Sequence, residues 1–152
     1  MRRCMALVGL IALLTGCCIA QTGEDGIKAT LFSDGEARPC VEADELAAAV
    51  LSLLQNAGEV AMLAVGPDLI DSIKASDSAL EIVWPDTLTV TLPSGIKDRL
   101  SRVLLPLSGE YGPPEANSSV LIFFGIEAYG TPALINEAAQ AELTRIGELL
   151  GR

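Results

Sequence analysis

The chain contains no histidine in 152 residues. That removes the commonest general base, the Ser-His-Asp and Cys-His arrangements, and most transition-metal sites. Basic residues are scarce, with 10 Lys and Arg against 20 Asp and Glu. Binding to a phosphate backbone needs clustered Lys and Arg, so nucleic acid is excluded as a partner. Aromatic residues make up only 4% of the chain, and there are four cysteines. The one strongly apolar run, residues 5–14, has ten residues. A membrane-spanning helix needs about 20. A calcium loop is absent too: Ser33-Asp34-Gly35-Glu36 lacks the alternating carboxylates of an EF-hand and reads as a turn. No glycine-rich phosphate loop precedes a helix, because Gly66-Pro67-Asp68 places an acid at the helix start. No cofactor is implied.

What is present begins at the N-terminus. Arg2 and Arg3 precede the apolar run, and the run ends in Leu14-Thr15-Gly16-Cys17. A basic pair followed by a short apolar stretch is the layout of a secretory signal. The last four residues resemble the lipobox of bacterial lipoproteins. The resemblance implies cleavage between Gly16 and Cys17 and acylation of Cys17. An ordinary signal cut after Ala20, behind Cys18-Ile19-Ala20, is the competing expectation. The expected organisation is a signal peptide over residues 1–16, a lipidated tether over 17–26 and a single domain over 27–152. Residue 18 is cysteine, not the aspartate that retains enteric lipoproteins at the inner membrane. The resemblance therefore implies the periplasmic side of the outer membrane in a Gram-negative cell.

Removal of residues 1–16 leaves eight basic and 20 acidic residues, a net charge of −12. A polyanion gains nothing from an anionic leaflet. Two or three acyl chains would hold the domain at the membrane without help from its surface. The remaining 136 residues suffice for one core. Cys18 and Cys40 can pair in an oxidising envelope, closing a loop worth about 3 kcal/mol in the chain-entropy model. The favoured expectation is the simpler one, in which Cys18 is a spare tether residue and Cys40 a small buried one.

Residues 27–32 suggest a strand. Residues 42–57 carry the clearest helical period: Leu46, Val50, Leu53, Leu54 and Ala57 form one stripe, with Glu42, Asp44 and Glu45 in the first turn. A strand over 60–65 and a short helix opened by Pro67 follow. In residues 80–92, Leu80, Ile82, Trp84, Leu88, Val90 and Leu92 alternate with wetter positions. Pro85 marks a bulge or an edge. Trp84 is expected in the core. Residues 99–107 and 120–124 complete the strands, and Asn136 is expected to cap a last helix running to Leu150. The fold class is α+β: a mostly antiparallel sheet of about four to five strands, packed against one long helix and a C-terminal helix.

No motif concentrates chemistry. Lys97, Arg99 and Arg102 are the only basic cluster of the processed chain. They are possible contact residues for an anion, although surface pairing with Asp98 and neighbouring acids is the plainer expectation. Tyr111 and Tyr129 lie in Gly/Pro-containing loops and are possible contacts, or else routine loop anchors. A hairpin of strands 99–107 and 120–124 would put them at opposite ends of the sheet. The expected function is a lipid-anchored envelope domain that binds or scaffolds an unknown envelope protein and is not an enzyme. An inhibitor of a basic envelope enzyme such as a muramidase is the alternative. A carboxylate-dependent hydrolase is the third.

Overall fold

The computed structural model describes residues 26–76, 78–113, 119–130 and 132–152. The lipobox and Cys18 lie outside the described residues. Seven strands form a sheet in which every neighbouring pair is antiparallel. They are β1 (Lys28–Ser33), β2 (Glu36–Pro39), β3 (Glu59–Val60), β4 (Ala79–Thr91), β5 (Lys97–Pro106), β6 (Val120–Gly125) and β7 (Leu134–Asn136). The spatial order is β2-β1-β4-β5-β6-β7-β3. Three helices accompany them: α1 (Ala43–Gln55), α2 (Pro67–Ser76) and α3 (Gln140–Leu149). The α+β class stands, with seven strands where four to five were expected.

Period-two alternation splits the sheet into two faces. Leu80, Ile82, Trp84 and Val90 of β4, Val103 and Leu105 of β5, and Val120, Ile122 and Phe124 of β6 point to one face. There they meet Leu46, Val50, Leu53 and Leu54 of α1 and Ile146 of α3, all in one buried cluster. The helical stripe and the alternating strand face therefore pack together as expected. Ala79 of β4, Leu104 of β5 and Phe123 of β6 point the other way, onto Ile70 and Ile73 of α2. So α2, the short helix expected behind Pro67, covers the second face of the sheet.

The connections follow from local chemistry. Asp34 and Gly35 both adopt positive φ, 53° and 77°, between β1 and β2. Two successive left-handed residues make a tight hairpin turn matched to strand twist, and Asp-Gly is a favoured pair for it. At Pro85 the β4–β5 register shifts between Val83 and Leu88, so a bulge sits there. Gly95 (φ 81°) donates its N–H to the Leu92 carbonyl and closes the next turn.

Two expectations need correction. The strand over 60–65 shrinks to Glu59–Val60, which pair with β7 at the sheet edge. Asn136 does not cap the last helix; it ends β7 and is 1% exposed. Its Nδ2 donates to the Leu53 carbonyl at 2.8 Å, and its Oδ1 accepts the Ala138 N–H at 2.9 Å. A buried amide must satisfy both its donors and its acceptor, so Asn136 pins β7 to the last turns of α1.

Candidate functional site

The polar chemistry of the molecule gathers on the second face of the sheet. Glu81 sits on β4 between Leu80 and Ile82, which both face the main core, so its side chain is forced to the opposite side. Lys74, from the last turn of α2, donates to Glu81 Oε1 at 2.8 Å. The Tyr129 hydroxyl donates to the same oxygen at 2.6 Å. The Lys74 ammonium also lies 4.8 Å from the Phe32 ring centroid and 5.7 Å from that of Tyr129. The Arg102 guanidinium lies 5.8 Å from the Tyr129 ring on its own account. Each cation is within the reach at which a ring quadrupole attracts it.

Tyr129 reaches this cluster because the chain folds back after β6. Gly125 bridges Tyr129 in antiparallel fashion. A Cβ at Gly125 would fall 1.9 Å from the Ala128 carbonyl oxygen, so only glycine fits the approach. Ser101 Oγ holds the same loop by donating to the Ile126 carbonyl at 2.6 Å. Burial, reinforced by the Glu81 carboxylate beside it, pushes the Tyr129 phenol far above its ordinary range. The phenol is held as a neutral donor.

Tyr129 is 7% exposed, so it anchors its loop and offers no contact surface. Tyr111 is half-buried and packs against the same apolar cluster as Tyr129. Tyr111 lies beside Leu121 near the start of β6, whereas Tyr129 bridges Gly125 at its end. Tyr111 lines a groove of about 450 Å³ with Leu63, Gly112, Leu121 and Ile135. Met62 stands fully exposed at that groove, and Val60 beside it is 56% exposed.

Lys97, Arg99 and Arg102 do come together. Lys97 pairs with Thr91, Arg99 with Thr89 and Arg102 with Val83 across the β4–β5 ladder. These β4 residues alternate with the core-facing ones, so all three cations lie on the second face. The expected pairing with acids is not found. Among the described residues, Arg38, Lys74 and Arg145 each reach a carboxylate, whereas Lys97, Arg99 and Arg102 reach none. Asp98 instead accepts the backbone N–H of Arg99 at 2.8 Å. The buried Nε of Arg102 has no acceptor.

Comparison of the chain with known protein families, curated proteins and solved structures finds no match. The site must therefore be read from its own chemistry. Among the described residues, no group of three or more His, Cys, Asp and Glu side chains could hold a metal ion. No helix among them is long and apolar enough to cross a membrane. Cys40 has no disulfide partner among the described residues; it is half-buried, between β2 and α1, and burial pushes its thiol up. Its possible partner Cys18 lies outside the described residues. The sequence reading missed Glu81, Lys74 and Met62. Only Glu81 left a signal, as a carboxylate inside an otherwise apolar stretch of β4.

Proposed function

We propose that the protein is a lipid-anchored cell-envelope domain that acts by binding, with the second face of its sheet turned to an envelope protein. The anchor rests on Leu14-Thr15-Gly16-Cys17. The observation that carries the binding mode is Met62, fully exposed beside the groove of Tyr111, Leu121 and Ile135. Methionine is an adaptable contact residue, and here it adjoins an apolar groove rather than standing alone. The part-buried carboxylate of Glu81 is committed to Lys74 and Tyr129, which suits a scaffold better than acid-base chemistry.

A photo-crosslinker placed at residue 62 in the envelope tests this reading. It is expected to trap one defined protein, and a crosslinker at Glu148, on the exposed side of α3, to trap none of it. Equal trapping at both positions, or none at 62, defeats the binding mode. The inhibitor reading keeps one feature, the acidic Glu110 next to Tyr111 at the same groove. Slowing of a purified muramidase by the protein, relieved by Tyr111→Ala, would favour it.

A further inference from the structure

Lys97, Arg99 and Arg102, none of which reaches a carboxylate among the described residues, occupy one short stretch of one strand. Lys97 and Arg99 are exposed and line a depression of about 630 Å³ against the loop that follows β6. Gly125, Ala128 and Gly130 line its other side together with the exposed Ile126. Arg102 lies on the same sheet face, one bulge further along β5, with its buried Nε lacking an acceptor. Two acids border the depression. Asp98 is engaged by the Arg99 backbone N–H, which leaves Glu127 as the exposed carboxylate.

The geometry points to this depression as a binding site for a compact dianion, a dicarboxylate or phosphate held by Lys97 and Arg99 with Arg102 behind them. A guanidinium fork matches both oxyanion types, and charge-assisted bonds are roughly twice as strong as neutral ones. Size decides between possible occupants. Screening confines the local attraction to about 8 Å at physiological salt. A small anion lies wholly within that range, whereas an anionic polymer or membrane also meets the surrounding negative charge. The site is independent of the Met62 groove and of lipid anchoring, so either reading can fail without the other.

The full-length chain in neutral detergent micelles is the sample, with arginine Nε–H signals followed by NMR in about 0.15 M NaCl. Inorganic phosphate and succinate are titrated separately, and the probe that saturates names the oxyanion. The expected result is saturable movement of the Arg99 and Arg102 signals. Lys97→Gln/Arg99→Gln, read at Arg102, should bind at least about tenfold more weakly, or 1.4 kcal/mol. Glu127→Gln should bind more tightly. An undisturbed Trp84 indole signal shows that the variants remain folded. The proposal is overturned if neither probe saturates, if Arg38 and Arg145 move equally, or if the double variant binds as the wild type does. Movement only with phosphatidylglycerol vesicles overturns it as well.

Discussion

The Tyr129 hydroxyl and the Glu81 carboxylate meet at 2.6 Å across 48 residues of sequence. The bond joins the loop after β6 to the middle of β4, and Lys74 adds α2 to the same oxygen. One carboxylate oxygen thus ties together a strand, a helix and a loop on the second face.

Tyr129→Phe should cost about 1.5–3 kcal/mol, the usual range for a hydrogen bond to a charged group. The ring and its packing survive, so the loss isolates the hydroxyl. Urea unfolding at neutral pH measures it. A change below about 0.5 kcal/mol, as for an ordinary surface substitution, would mean that Lys74 alone satisfies Glu81.

The raised Tyr129 phenol makes stability fall in alkali. Below its ordinary value of 10.0 both folded and unfolded chains hold the proton, and this group adds no pH dependence. Above that value the unfolded chain releases the proton and the folded chain retains it. Stability then drops by about 1.4 kcal/mol per pH unit from this group. In a Tyr111→Phe background, the tyrosinate absorbance band should appear only together with unfolding. Its appearance in the folded protein near pH 10 would contradict the burial that raises the phenol.

Ile82→Ala should cost about 2–5 kcal/mol, because Ile82 is fully buried between β4 and α1 and the cavity cannot collapse without moving the sheet. Chemical denaturation followed by Trp84 fluorescence gives the number. A loss below about 0.5 kcal/mol would mean that β4 presents its other face to the helices.

Anchoring has its own test. The wild type should incorporate labelled palmitate and enter the detergent phase, and Cys17→Ser should do neither. Label persisting in Cys17→Ser, or a wild type recovered as free protein, would reject the lipobox reading.

Long periodic elements were legible in the sequence because their burial pattern repeats many times. Residues 42–57 and 80–92 each carry five or six matched positions, enough to set both element and face. β2, β3 and β7 span only two to four residues, too few to show a period. The polar cluster was illegible for a different reason. Glu81 looked solvated because strand alternation cannot tell which outward positions a later helix will cover, and α2 covers this one. The basic strip was legible as residues but not as unpaired cations, since sequence cannot show that Asp98 turns to the backbone.

The outermost strands have a consequence for what happens when copies of the protein are crowded together. An exposed strand edge is a template for pairing with another chain. Here one edge is β3, two residues long, and the other is β2, four residues long and ending in Pro39. Proline offers no N–H, and β2 also carries the charged pair Arg38–Glu36 at 2.6 Å. At these two strands neighbouring copies therefore meet blunt, charged ends rather than extendable ladders. Crowding should not join the molecules through β2 or β3.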